Sequence, residues 1–221
     1  MILYGFWRSI ATMRVRTGLA LKGLAADELP VDLLRGDQFE ESFRAVNPAR
    51  AVPALVPVEG APALFQSMAI LEWLEETHPQ PPFLPHDAAG RARVRGLALI
   101  AAADTHPLSV PRVRSELAQR FGADERAVQN WVQHFIMEGA TSLEGHLCRE
   151  AETGEFCHGN VSGLADICLF SLKAQADMFE VDLTPWPTVR RIAARCAEIE
   201  AFASSHPTRQ PGAPHRHSVF P

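Results

Sequence analysis

The sequence predicts an α/β domain over residues 1–84 followed by an all-α domain over 85–221, and three observations carry that expectation. Strand-type and helix-type patterns alternate up to Thr77 and then stop. A proline-dense stretch, "HPQPPFLPHD", follows and reads as the boundary. Beyond it the chain turns to long runs rich in Ala, Leu and Arg with no strand pattern.

The elements follow in order. Residues 2–7 are extended in type, with Ile2, Leu3, Tyr4, Phe6 and Trp7. Met13, Val15, Leu19 and Leu21 then mark a helix from about Ile10 to Lys22, with Gly23 as its stop. "DELPVDLL" reads as a second strand, at an edge because of Pro30. "QFEESFRAVNP" is a short helix ended by Asn47-Pro48, since a residue before proline is pushed out of the helical region. "PALVPV" and "PALF" around "EGA" make a hairpin. "SMAILEWLEET" is a helix with Ser67 as its N-cap. The first domain is therefore βαβ, connector helix, ββα. Helices are expected near 87–106, 108–121, 124–150, 163–178 and 187–203, with a polar tail from His206.

Composition removes several classes. With 221 residues, 47% of them hydrophobic, the chain can bury a full core. The net charge of −5, with Lys and Arg dispersed, leaves no footprint for nucleic acid. No apolar run is long enough to span a bilayer, and the start lacks a basic n-region, so no membrane is expected and a cytoplasmic location is. Cys148, Cys157, Cys168 and Cys196 form no C-x-x-C pair and read as reduced, mostly buried thiols. His215 and His217 in the tail are a weak metal motif, and a mobile polar end is the commoner reading, so no metal site is expected.

Three local features carry chemistry. Val52-Pro53 stands directly before a strand, where a cis bond would turn the Val52 backbone outward to pair with an extended peptide; an ordinary trans start to the strand is the alternative. Gln66-Ser67 opens a helix whose unpaired N–H groups and positive pole can hold a carboxylate, although Ser67 could equally be a simple cap. Arg8-Ser9 opens the first helix, where a thiolate would be stabilised by N–H groups and a hydroxyl. Taken alone, Ser9 is a cap and Arg8 a solvated charge.

Together with "LYGFWRS…RVR", "NPARAVPAL", "QSMAILEWLEETHPQPPFLP", "DTHPL", "LADICL" and "FEVDLTPWPTV", these features resemble the zeta class of glutathione transferases, the maleylacetoacetate and maleylpyruvate isomerases. The resemblance covers nearly the whole chain. It implies a thioredoxin-like N-terminal domain, an all-α C-terminal domain, glutathione as cofactor, a small diacid substrate and a homodimer. It further implies Ser9 and Arg8 as catalytic residues, Val52, Pro53, Gln66 and Ser67 as glutathione ligands, and His106 at the far end of the tripeptide.

The departures fall at ligand positions. Ser9 is followed by Ile10 and Ala11, where the family usually carries a further hydroxyl or thiol, so thiolate stabilisation falls to Ser9, Thr12 and backbone N–H groups. Ala51 replaces a frequent glutamine, "LSVPRVR" replaces an asparagine-bearing segment, and "KAQADMF" lacks an arginine before Phe179. Gly163 stands where a serine or threonine usually caps. A protein that keeps the fold but has lost isomerase chemistry is the alternative function; a thiol–disulfide enzyme is disfavoured because no cysteine lies near Ser9.

Overall fold

The computed structural model describes residues 1–213, so the tail histidines His215 and His217 lie outside the described residues. The chain divides into two units. One holds Met1–Phe83 together with the segment that starts at Glu200, and the other holds Leu84–Ile199.

In the first unit β1 (Ile2–Gly5), β2 (Asp27–Pro30), β3 (Ala54–Val56) and β4 (Leu64–Phe65) form one sheet of order β2-β1-β3-β4. β1 runs parallel to β2 and antiparallel to β3. Pro30 does stand on an edge strand, which tolerates a residue without an N–H. β1 and β2 are both shorter than the sequence suggests: Phe6 and Trp7 leave the sheet to form the turn into α1, and Val31 leaves the edge for a cluster of Phe6, Phe43 and Val52. α2 (Glu41–Val46) supplies Phe43 to that cluster.

α1 (Ile10–Leu21) and α3 (Ser67–Thr77) meet along a seam with a four-residue repeat on both helices. Arg14 Nε donates to Ser67 Oγ at 3.0 Å. Gly18 lies against Leu71, so close that a Cβ there would stand 2.3 Å from Leu71 Cδ2. Lys22 Nζ pairs with Glu75 Oε2 at 2.7 Å and donates to Pro81 O at 2.6 Å. Residues one turn apart on one helix thus meet residues one turn apart on the other, in the same order. The two helices run parallel, and their N-termini lie at the same end of the unit.

The sequence places residues 200–203 at the end of a helix that begins at 187. Instead α8 (Pro187–Ala197) ends, and α9 (Glu200–Ser205) groups with the first unit, where it packs on α1 with Phe202 wholly buried.

The second unit is built around α7 (Leu164–Met178). Twelve of its fifteen residues are buried, as expected of a helix apolar on every side. α4 (Ala88–Leu99), α6 (Glu125–Leu147) and α8 pack round it, and α5 (Pro111–Phe121) packs on α6. Gly163 caps α7 through its backbone, its N–H donating to Asp166 Oδ2 at 2.9 Å, while Cys157 N–H donates to Asp166 Oδ1 at 2.8 Å. Burial raises the Asp166 pKa, and the two N–H donors oppose that rise. The expected helix over 87–106 changes form at Ile100, where a π-helical segment runs to Thr105. Among the described residues no helix is long and apolar enough to cross a membrane.

The Lys22–Glu75 pair is a test of the seam. The Lys22 side chain is 0% exposed, and Glu75 Oε2 also accepts from Phe83 N–H at 2.8 Å. Glu75→Ala strands a buried ammonium and a buried N–H together, and is expected to cost about 3–5 kcal/mol in urea unfolding.

Candidate active site

The turn between β1 and α1 is fixed from behind. Arg16, on the second turn of α1, donates from Nη2 to Phe6 O at 3.2 Å and from Nε to Glu28 Oε2 at 2.7 Å. That clamp holds the two residues between Phe6 and Ser9 in place. Ser9 is the N-cap: its N–H donates to Phe6 O at 2.9 Å, and its Oγ accepts from Thr12 N–H at 3.1 Å. The cap uses one lone pair of the hydroxyl, so the O–H hydrogen is left to donate outward. The cap and the functional role are therefore compatible rather than rival.

Around Ser9 the electrostatics favour an anion. The N–H groups of Ile10 and Ala11 have no intrahelical partner, and the first turn of α1 holds no acidic residue. Arg8 is half-buried, and burial draws its pKa down from the ordinary value, yet a guanidinium stays charged at neutral pH. Thr12 does not take the part expected of it. It is 0% exposed, so its hydroxyl is shut away from any ligand and only its backbone N–H serves the site, through Ser9. Ile10 is buried too, at 5% exposure, and its bulk is withdrawn into the interior.

The second start is that of α3. Here Ser67 is the first helical residue and Gln66 the N-cap, one position earlier than the sequence suggests. Gln66 has φ +67°, the left-handed region where a side chain is strained by about 1–3 kcal/mol. Arg50 and Glu180 share this conformation, but of the three only Gln66 stands at the start of a helix that follows a strand. Ser67 is 4% exposed, and its Oγ accepts from Arg14 Nε, which again leaves the hydroxyl hydrogen to donate. Arg14, 2% exposed, was missed by sequence reasoning. A charged residue between Met13 and Val15, inside an apolar helical pattern, was the signal available.

Val52-Pro53 is cis. The ladder between β1 and β3 begins at Tyr4 opposite Ala54, so Val52 stands outside it. Ser9, Arg8, Val52, Pro53, Gln66 and Ser67 all belong to the first unit, whereas His106 belongs to the second. It opens the turn His106–Leu108 directly after the π-helical segment, a type of distortion that recurs at functional sites. Its carbonyl accepts from Ser109 N–H at 3.1 Å and from Ser109 Oγ at 2.8 Å. Elsewhere in this unit a surface hollow lined by Arg93, Leu97, Ile100, His146 and Glu150 has its polar groups engaged with one another, Arg93 and His146 both pairing with Glu150.

The first unit thus carries two hydroxyls at two aligned helix starts, a guanidinium beside one of them and an unladdered backbone ahead of β3, an arrangement whose electrostatics favour an anionic ligand. Residues 3–82 match the N-terminal domain of glutathione S-transferases. The chain is 42% identical over 211 residues to a maleylpyruvate isomerase of a Ralstonia species, covering 96% of this chain and 99% of the relative. It superposes with a TM-score of 0.94 on a maleylacetoacetate isomerase of Methylobacterium extorquens AM1 crystallised with malonate and glutathione, at 45% identity over 97% of this chain and 100% of that one. The TM-score is 0.93 against the holo structure of a bacterial zeta-class maleylpyruvate isomerase, at 42% identity over 97% of this chain and 100% of that one. The chain belongs to the zeta class of glutathione transferases, the family of the maleylacetoacetate and maleylpyruvate isomerases.

The site supplies no thiol of its own. Cys157, Cys168 and Cys196 are buried and Cys148 alone is exposed. Burial pushes the Cys157 and Cys196 thiols up, away from the reactive thiolate form. A colorimetric thiol titration is expected to count one fast cysteine in the native protein and four after denaturation; loss of the fast one in Cys148→Ser completes the assignment.

Proposed function

We propose that the chain is a glutathione-dependent cis–trans isomerase of maleyl diacids such as maleylpyruvate and maleylacetoacetate, with residues 1–84 binding glutathione, the helical part taking the substrate, and the protein working as a cytoplasmic homodimer. The observation that carries the proposal is the pair of hydroxyls, Ser9 and Ser67, each held as an acceptor by its own neighbour with a hydrogen left to donate. Glutathione, when bound, supplies a thiolate that adds to the cis double bond, permits rotation, and departs from the trans product unconsumed.

The chain's own residues set that chemistry. Ser9 O–H donates to the sulfur anion, and the N-terminal pole of α1 favours that anion over the thiol. Arg8 stabilises the negative charge that develops on the substrate, where a fixed guanidinium needs no reorganisation. Ser67 and Gln66 hold the γ-glutamyl carboxylate at the start of α3, with the buried charge of Arg14 behind them. Val52 lends its backbone to the extended tripeptide, Pro53 sets the direction of that backbone, and His106 meets the tripeptide's far end.

The test follows isomerisation of maleylpyruvate with and without glutathione. Turnover is expected only with glutathione. Ser9→Ala is expected to lower kcat by about one to two decades, the loss of a hydrogen bond to a charged sulfur, and Arg8→Leu by at least as much. Ser67→Ala is expected instead to raise the glutathione concentration needed for half-maximal rate. Turnover without glutathione, or an unchanged rate in Ser9→Ala, would refute the mechanism.

A further inference from the structure

We infer that Glu28, on the edge strand of the sheet, is a positioning residue for the reaction: through Arg16 it sets the turn that carries Arg8 and Ser9, and so governs the chemical step rather than the affinity for glutathione. The inference deepens the isomerase reading and rests on it. Every residue it invokes belongs to the first unit.

Glu28 reaches that turn from another element. It lies on β2 opposite Leu3, and its carboxylate extends to Gly5, where a Cβ would stand 2.4 Å from Glu28 Oε1. The space that a side chain at position 5 would take is thus filled by the carboxylate. There it accepts from the Arg16 guanidinium at two points, Nε to Oε2 at 2.7 Å and Nη2 to Oε1 at 2.5 Å. The Arg16 side chain is 9% exposed, so this two-point pair is largely withdrawn from water.

The rest of the guanidinium faces the turn. Nη2 also donates to Phe6 O at 3.2 Å, and Nη1 reaches Trp7 O at 3.5 Å. A guanidinium is planar and rigid, so holding one edge on a carboxylate fixes where the other edge lies. Glu28 therefore decides where the two carbonyls can stand. They belong to a turn closed by the Ser9 N–H on Phe6 O, with Trp7 and Arg8 as its central residues. Because each peptide is flat, holding both carbonyls sets the two peptide planes that flank Trp7, and with them the direction in which Arg8 leaves the turn. Phe6 O accepts from Arg16 and from Ser9 N–H together, so any shift of that oxygen also moves Ser9 and its bond to Thr12. An ion pair that served only to join β2 to α1 would have no need of two consecutive carbonyls of the reacting turn.

The experiment compares full-length Glu28→Gln and Arg16→Lys with the wild type, by steady-state kinetics on maleylpyruvate and by the ultraviolet absorbance of the bound glutathione thiolate as pH is raised. Glu28→Gln keeps the shape but can no longer accept at both atoms. Both variants are expected to lower kcat by about 10- to 100-fold, the effect of a small misplacement of reacting groups, with the KM for glutathione little changed. The pKa of the bound thiol separates positioning from a change of charge. Removing a negative charge favours the thiolate, so charge alone would lower that pKa in Glu28→Gln, whereas displacement of Ser9 and Arg8 raises it. A raised value is expected in both variants. Glu116→Gln, which breaks an exposed pair with Arg120 on α5, is the control and should change neither reading. An unchanged kcat, or a thiol pKa that stays or falls in Glu28→Gln, would overturn the assignment even if the urea midpoint drops; Glu28→Gln decides the matter should Arg16→Lys fail to fold. A raised thiol pKa in Glu28→Gln, in a protein whose wild type shows no isomerase turnover, would keep the positioning role and refute the isomerase reading instead.

Discussion

The seam between α1 and α3 governs the first unit. Arg14 meets Ser67, Gly18 meets Leu71 and Lys22 meets Glu75, each partner 53 residues further along the chain. Two of the three contacts are polar and buried, so neither helix can slide by a turn without stranding a guanidinium and an ammonium in the interior. The middle contact is close: a Cβ on Gly18 would force the buried Leu71 side chain to shift. Such a seam makes the helices parallel, which a chain joining them through β2, α2 and the hairpin has length enough to allow. The consequence is electrostatic. Two helix N-termini, each with free N–H groups and a partial positive charge, lie at one end of the unit.

A ligand with a carboxylate at one end and a thiol that must ionise suits two such poles better than any single one. Each pole also carries a hydroxyl held in place: Ser9 Oγ accepts from the Thr12 N–H as a cap and Ser67 Oγ accepts from Arg14, and each keeps its hydrogen to donate. Arg14 does two jobs through one bond: it pins α3 to α1 and it orients the Ser67 hydroxyl. This coupling explains why a buried arginine, costly in a core, sits at 2% exposure in the first helix.

Much of the fold was legible because it rests on local patterns: the βαβ opening, the edge position of Pro30, the hairpin, the glycine cap of α7 and the helical character of residues beyond the proline-dense stretch all follow from periodicity and turn chemistry. Ser9, Ser67 and the Val52-Pro53 step were legible for the same reason, as residues at element starts. What was hidden is what depends on a second element. The seam residues Arg14, Gly18 and Lys22 read as interruptions of an apolar pattern marked by Met13, Val15 and Leu19, since nothing local says that the packed face is polar. Gln66 looks like any residue before a helix until its φ is known. The regrouping of α9 depends on where Phe202 finds a core. The change to π-helix at Ile100 coincides with close packing on α6, where a Cβ on Gly139 would meet Thr105 Oγ1 at 2.1 Å, and no single-helix pattern encodes that approach.

The departures at Ile10 and Ala11 carry less weight in three dimensions than in the sequence. Side chains at those positions could add a donor to the sulfur, but the donors that the helix itself provides come from the backbone and survive any substitution other than proline. Ile10 points its bulk into the interior, and burial of Thr12 leaves Ser9 as the one hydroxyl of that turn with a hydrogen to give. A substitution that looks costly in the sequence thus falls on a side chain that the fold buries, while the N–H groups of the helix start stay where they were.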